Sequence, residues 1–508
     1  MPEQDYILAH DLGTTGNKAT LFDAVTGKGV ATTFHAYETA YPHPNWAEQD
    51  PADWQAAIFQ STRSLLDQAS VSPGSVAVVS FSGHMMGALL VDEEGAPLRS
   101  SIIWADQRAT SQADWMGQVC GREQVYRLTG HRVSAAYTAA KVLWIKENQP
   151  DLYRRAHRVL HCKDYAAFLL TGALVTDYSD ASGTQVFDLE RRCWADDMLN
   201  AIGLPPSLFP EAFPSTTIIG KVTDGAAAAT GLLAGTPVVI GGGDGACATV
   251  GAGSVEEGDA YNYIGSSAWI ALTTRQPIFD PLQRTFTFAH LVPDMYFPVG
   301  TMQAAGGSYG WLQRICGGAE ADSPLFQVMD AEAADVPPGA NGLLFLPYLL
   351  GERSPYWNPR ARGAFVGLTM SHGRPEMARA VLEGVAYNLR MILDALRAQG
   401  VQVEAMRLIG GGARSGIWRQ ILANVYQLPI LLPELTAEAT ALGAAIAGGV
   451  GVGLFPDFDV VRQLVPAREA EQPHPAPRER YDAMYQMFQQ AYTALEPLFE
   501  QLAVQAAD

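Results

Sequence analysis

The sequence predicts an α/β protein built as two similar halves that face each other, and three observations carry that prediction. The chain has 508 residues, more than one ordinary hydrophobic core organises. A strand, a glycine, hydroxyl residues and a second strand occur in that order twice. Residues 6–10 run through Asp11-Leu12-Gly13-Thr14-Thr15-Gly16 into 19–22, and Tyr261-Asn262-Tyr263-Ile264-Gly265-Ser266-Ser267 runs into 268–272. Each reads as a hairpin with a Gly-rich turn. The third observation is a pair of small-residue stretches in matching order, 244–251 late in the first half and 440–448 late in the second. Gly13 and Gly265 lie 252 positions apart, so the halves are expected to divide near residue 253, as 1–253 and 254–508.

The remaining elements alternate strand and helix. Asp50-Pro51 reads as an N-cap followed by proline at the first helical position, opening a helix that carries Trp54 and Ile58. Residues 76–81 form an apolar strand ending at Ser82-Gly83. Residues 237–240 end in Gly241-Gly242-Gly243-Asp244, and 406–409 end in Gly410-Gly411-Gly412-Ala413-Arg414. Pro473, Pro475 and Pro477 form a stiff linker. Beyond it Tyr481, Met484, Tyr485, Phe488, Tyr492 and Leu495 recur at helical spacing, a packing face for its own chain or for a second copy in a homodimer.

Composition narrows the function. Hydrophobic residues make up 48 % and charged residues 17 %, a globular balance. The net charge of −19 argues against nucleic acid or an anionic membrane as a partner, while leaving room for an anionic ligand held by backbone N–H groups and a metal ion. Cys120, Cys162, Cys193, Cys247 and Cys316 show no CxxC spacing, which argues against a disulfide scaffold or zinc site and fits the cytoplasm. Residues 1–5 carry no basic, apolar leader. The Gly- and Ala-rich run 439–455, bracketed by Glu438 and Asp457, reads as a close-packing helix rather than a membrane span.

A phosphate approaching a backbone needs glycine, because a Cβ blocks the approach, and successive N–H groups in such turns make anion nests. Two facing Gly-hydroxyl turns therefore describe a clamp on a polyphosphate, with Asp11 beside the first as a holder of Mg²⁺. No GxxxxGK[ST] pattern is present, which argues against a P-loop enzyme. The Gly triplets leave space beside the backbone, and Asp244 puts a carboxylate at a strand end. On its residues alone Asp244 is either a helix cap or a base for phosphoryl transfer.

These motifs resemble the FGGY carbohydrate kinases, of the hexokinase, actin and heat-shock-70 ATPase superfamily. The residues concerned are Asp11 to Gly16, Gly-Gly-Gly-Asp at 241–244, Gly-Ser-Ser at 265–267 and Gly-Gly-Gly-Ala-Arg at 410–414. Thr138, Lys141, Trp144 and Glu147 fit one longer signature, with Ala136 departing from it. Gly363-Ala364-Phe365-Val366-Gly367-Leu368, Glu376-Met377 and Ala380-Val381-Leu382-Glu383 fit a second. The resemblance spans nearly the whole chain and implies two actin-like (ribonuclease H-like) ATPase domains with ATP and Mg²⁺ in the cleft between them. It implies that Asp244 is the catalytic base and that sugar lies near His84, Met85, Trp104, Asp106 and Asp244. It implies phosphates at Gly13, Thr14, Thr15, Gly265, Ser266, Ser267 and Gly307, adenosine at Gly411, Gly412, Ala413 and Asn424, and crossing of the small-residue helices at a hinge. Lys18 either reaches the phosphates or faces solvent. An unshifted Asp244 would be ionised at neutral pH.

Within the family the xylulokinase branch is most similar, through Pro42-His43-Pro44-Asn45-Trp46-Ala47-Glu48-Gln49-Asp50-Pro51, Lys163-Asp164-Tyr165 and the run 346–355. Two segments depart from it. Gly83-His84-Met85-Met86-Gly87 replaces G-Q-M-H-G, and Trp104-Ala105-Asp106-Gln107-Arg108 replaces W-N-D-x-R. The expected reaction is phosphorylation of D-xylulose. Alternatives are another ketose, polyol or sugar acid as acceptor (ribulose, fuculose, glycerol, erythritol, gluconate), or an actin-like ATP-binding switch without sugar kinase activity.

Overall fold

A computed structural model describes residues 6–317, 325–434 and 438–505; the expectation about a leader at Met1 to Asp5 falls outside the described residues. The first sheet contains β1 (Tyr6–Leu12), β2 (Gly16–Asp23), β3 (Gly29–Ala36), β4 (Val76–Gly83), β5 (Ile218–Lys221), β6 (Pro237–Val239) and the two-residue β7 (Gly242–Gly243). Its order is β5-β6-β4-β1-β2-β3, with β7 also pairing β4. The second contains β8 (Ala260–Ile264), β9 (Ala268–Leu272), β10 (Phe286–Ala289), β11 (Tyr296–Met302), β12 (Met406–Ile409), β13 (Ile430–Pro433) and β14 (Ala467–Glu471), in the order β10-β11-β9-β8-β12-β13-β14.

The two sheets repeat one pattern. In the first, β1 runs antiparallel to β2, β2 antiparallel to β3, and β1 parallel to β4, which is parallel to β6. In the second, β8, β9, β11, β12 and β13 repeat those relations in the same order. Both patterns end in an antiparallel edge strand, β5 or β14. That edge precedes its neighbour in the first half and follows it in the second. The two Gly triplets therefore end non-equivalent strands. The second-half triplet follows β12, whose counterpart β4 ends at Ser82-Gly83.

Six helices matter for the site: α1 (Pro51–Ala69), α2 (Asp244–Gly251), α3 (Gly306–Ile315), α4 (Gly416–Tyr426), α5 (Ala439–Gly451) and α6 (Arg478–Gln505). Helix α1 starts as its sequence predicts, with Ala52 N–H donating 2.9 Å to Asp50 Oδ1 and Trp54, Ala57, Ile58 and Leu65 buried. Helices α2 and α5 cross at backbone contact. A Cβ added at Gly251 would lie 1.8 Å from Ala439 O, and one at Gly443 would lie 2.0 Å from Cys247 O. Only glycine permits this approach.

Helix α5, encoded in the second half, lies on the first sheet, where a Cβ at Gly448 would come within 2.9 Å of Ser80 Cβ. Helix α2 reaches the other way, with Thr249 Oγ1 3.3 Å from Tyr261 OH on β8. Each half thus lends a helix to the core between the sheets. Among the described residues no helix is long and apolar enough to cross a membrane. The aromatic stripe of α6 packs on its own chain, where Tyr492 stacks on Tyr356 at 3.6 Å between ring centres.

Candidate active site

Between the sheets lies a cavity of about 510 Å³. Asp244, Met85, Met86 and Trp104 from the first half face Ser266, Ser267, Gln303 and Arg353 from the second. Of the residues expected at the site, the structure brings Asp244, Met85, Trp104, Ser266 and Ser267 into this one lining.

On the first-half side, β1 runs two residues further than its apolar run, so Asp11 belongs to the strand and the turn is Gly13 to Thr15. Asp11 pairs across the ladder with Lys18 and lies beside Ser82, whose Oγ donates 3.1 Å to Asp11 Oδ1. Burial pushes the Asp11 carboxyl up, against the pull of the Lys18 ammonium and the Ser82 hydroxyl. The turn is propped by side chains. Tyr37 OH donates 2.5 Å to Gly13 O, Gln49 Nε2 donates 2.7 Å to Thr14 O, and Trp104 Nε1 donates 3.1 Å to Thr14 Oγ1. Trp104 thereby links the cavity wall to the turn.

Asp244 opens α2 directly after β7, and its Oδ1 accepts 2.7 Å from Gly245 N–H. The expectation of an unshifted carboxylate is corrected. Burial, and after it the neighbouring Asp11 charge, push Asp244 up to about 7 against the opposing Gly245 N–H. A base with that value is better matched to neutral pH than an ordinary aspartate.

The loop after β4 departs from its expected role at one residue. His84 is 2 % exposed and does not line the cavity; its Nε2 lies 3.0 Å from Gln49 Oε1, and its ring packs edge-on to Trp54. Burial, then the charges of His161 and Lys141, hold it down at about 3, so it stays neutral. The cavity receives Met85 and Met86 instead. Met86 adopts φ 66°, and Lys141 Nζ fixes it from behind by donating 2.8 Å to Met86 O. Thr138 Oγ1 donates 2.9 Å to Gly87 O. Part of the first long signature is thus a brace for this loop.

Asp106 is not brought to the lining either. It is fully buried, accepting 2.6 Å from Ala47 N–H and 2.7 Å from Arg108 Nη2. Arg108 stacks on Trp46 at 3.7 Å and pairs with Glu48 at 2.6 Å. The Asp106-to-Arg108 segment therefore clamps the Trp46-to-Glu48 segment, and of Trp104 and Asp106 only Trp104 lines the cavity.

The second-half turn is closed by backbone. Gly265 N–H donates to Ser267 O at 2.8 Å, and the start of α3 folds onto it, with Gly306 and Gly307 N–H groups donating 2.9 Å to Gly265 O and Ser266 O. The Gly307 N–H is therefore spent on the turn. The missing side chain at Gly306 is what admits the helix, since a Cβ there would lie 2.3 Å from Gly265 O, and one at Gly307 would be tight at 3.1 Å from Ser266 O. In the Gly triplet, Gly410 has φ +87° and Gly412 packs on Ile264, whereas a Cβ at Gly411 would meet open space. Ala413 is buried, and Asn424 Oδ1 on α4 accepts 2.7 Å from His474 N–H and 3.2 Å from Gln420 Nε2.

Several functional residues escaped the sequence reading. Gln49 joins the turn to His84, and its signal lay within the 42–51 run. Arg353 lies within the 346–355 run, but nothing in that run says that it faces the cavity. Behind Asp244, Lys163 Nζ sits 2.6, 3.0 and 3.1 Å from Asp164, Asp177 and Asp180, all fully buried. His161, Asp164 and Asp180 are grouped closely enough for a metal, but Lys163 already supplies the cation.

A duplicated α/β fold whose cleft sets a carboxylate opposite a Gly-Ser-Ser turn is the architecture of a two-domain phosphotransferase. The FGGY carbohydrate kinase N-terminal domain matches residues 6–251, and the C-terminal domain of the same family matches 260–452. The chain is 34 % identical to the xylulose kinase of Escherichia coli strain K12, over 96 % of this chain and 99 % of that protein. It is 32 % identical to the gluconokinase of Bacillus licheniformis, over 98 % of each. The crystal structure of xylulose kinase from Rhodospirillum rubrum superposes with a TM-score of 0.91 at 33 % identity, covering 97 % of this chain and 100 % of that one. The chain belongs to the FGGY family of carbohydrate kinases. It is an ATP-dependent sugar kinase with the duplicated actin-like fold.

Proposed function

We propose that the acceptor is D-xylulose, converted to D-xylulose 5-phosphate, and that Asp244 is the base. The observation that carries this reading is the placement of Asp244 in one cavity with the Ser266-Ser267 turn. Full-length similarity to xylulose kinases supports the choice of acceptor. Residues 1–253 hold sugar through Met85, Trp104 and Asp244, while His84 and Asp106 act behind them. Residues 254–508 hold nucleotide, with phosphates at the two turns and adenosine beside Gly411, Gly412 and Ala413. Lys18 works on Asp11 rather than in solvent.

Asp244 accepts the proton of the attacking hydroxyl as the new P–O bond forms, and closure of the halves about the α2–α5 crossing excludes water. Asp11 and Asp244, oxygen donors close enough for one to raise the other's pKa, suit a hard cation. Mg²⁺ held at Asp11 would supply neutralisation of the phosphate charge. The protein acts in the cytoplasm.

In Asp244→Asn, kcat should fall by about 10²–10⁴-fold with ATP affinity nearly unchanged; turnover near wild type refutes the base. ADP release with pentuloses, hexuloses, glycerol, erythritol and gluconate tests the acceptor. Arg353 in the lining and the gluconokinase relative favour a sugar acid as the second reading. A higher kcat/KM for gluconate than for D-xylulose would establish it. ATP hydrolysis that no acceptor accelerates would instead indicate a switch.

A further inference from the structure

Asp244 leaves the backbone one residue after Gly243, so the setting of Gly243 aims the carboxylate. That setting is fixed from three sides. Gly243 pairs with Gly83 at the end of β4. Met85 covers its Cα, where an added Cβ would lie 2.5 Å from Met85 Cγ. Its N–H donates 2.9 Å to Ser179 Oγ on the short helix Tyr178–Ser182.

Ser179 is fully buried, and its hydroxyl has one proton to give. That proton goes to Asp177 Oδ2 at 2.6 Å, which turns the oxygen lone pairs toward Gly243. Asp177 is itself held by Ser179 N–H at 2.8 Å, Ser215 Oγ at 2.7 Å and the Lys163 ammonium at 3.0 Å. A relay of fixed polarity thus runs from Lys163 through Asp177 and Ser179 to the peptide that carries Asp244. A Cβ on Gly242 would lie 2.9 Å from Ser179 Oγ, so the relay has little room to shift.

We propose that Ser179, oriented by Asp177 and Lys163, is a positioning residue for the base, holding the Gly243–Asp244 junction where the Asp244 carboxylate reaches the acceptor hydroxyl. This rests on the reading of Asp244 as the base. Removing the Ser179 oxygen frees the Gly243 N–H and loosens the start of α2, and misplacement of a reacting group by an ångström costs up to about a hundredfold in rate.

The test is a double-mutant cycle on the full chain, with Ser215→Ala as a matched control. Ser215 also donates to Asp177 and is likewise buried, but its side chain does not bond to Gly243. Ser179→Ala should lower kcat by about ten- to a hundredfold with KM for ATP within about twofold. Ser179→Cys, with a weak sulfur acceptor of similar size, should fall between and serves also if the alanine variant does not fold. Ser215→Ala should stay near wild type. In an Asp244→Asn background Ser179→Ala should cost almost nothing further, because the group it positions is gone. Retained kcat in both Ser179 variants, an equal loss in Ser215→Ala, or multiplication of the two losses in the double mutant would each overturn the proposal. Failure of the base reading shows separately, as near-wild-type turnover in Asp244→Asn alone.

Discussion

The two hairpins that open the two sheets share a backbone and divide the chemistry. Two residues before the turn glycine, the first places Asp11 opposite Lys18, and the second places Tyr263 opposite Trp269. The first pair is a carboxylate and an ammonium beside a Gly-hydroxyl turn. The second is two rings stacked at 4.0 Å. Their turns differ in support as well, since Tyr37, Gln49 and Trp104 side chains hold the first while the backbone of α3 closes the second. A duplicated fold supplies two equivalent places. At this matched position the first half carries an ion pair, and the second carries aromatic surface.

The largest expected effect is that of Asp244→Asn, given above, since it removes the proposed base. Next comes a pair of variants at the matched hairpin positions. Asp11→Asn should lower kcat by at least about tenfold, because the Mg²⁺ proposed at Asp11 would supply several kcal/mol of charge stabilisation. Tyr263→Phe should leave kcat within about twofold and stability within about 0.5 kcal/mol. Equal losses at both positions would break the division of labour. The pH profile sharpens it. As the proposed base Asp244 must be ionised, and it sits at about 7, so wild-type kcat/KM should drop as pH falls below neutrality. In Asp11→Asn the drop should move to lower pH, since a negative charge that raises Asp244 is gone.

A smaller effect is expected where the halves join. Gly443→Val drives a side chain into the Cys247 carbonyl of α2 and should destabilise by about 1–3 kcal/mol or more, seen as a lowered Tm. Gly411→Ala, whose Cβ meets open space, should leave Tm nearly unchanged.

The smallest effect lies on the same seam. His131 packs against Phe288 at 4.4 Å, and burial holds it down at about 3. Its folded value lies below the unfolded value near 6.5, so between these limits the unfolded chain binds the extra proton and stability is lost as pH falls. His131→Phe removes that loss, although Tyr137 OH forfeits its bond to His131 Nδ1. The variant should be less stable than wild type at pH 7, with a gap that narrows by at most about 1.4 kcal/mol per pH unit below 6.5, measured by denaturant unfolding. A gap that stays constant would show that His131 is not buried neutral.

The elements most legible in the sequence were those set by local rules. Asp50-Pro51 announces α1, because a cap and a proline act within one turn, and the apolar run 406–409 ends where β12 ends. Glycine before paired hydroxyls marked both turns. His84 was read by its place in a loop, yet whether its ring entered the cavity depended on Gln49, 35 residues away. Asp106 carried the same ambiguity, settled by Arg108 and by Ala47, which belongs to another segment. Gln49 and Ala47 lie in a segment far along the chain from the residues they hold, so the pattern around His84 and Asp106 does not show these contacts.

By itself the sequence determined the duplication, the two Gly-hydroxyl turns, the small-sided helices and a carboxylate after a glycine triplet, because each follows from backbone freedom or residue size over a few neighbours. The tertiary structure alone decided that α5 packs on the first sheet, that Met86 rather than His84 meets the cavity, that Asp244 sits near 7, and that Ser179 stands behind it. Those outcomes depend on burial and on partners distant in the chain, and burial is a property of the assembled core.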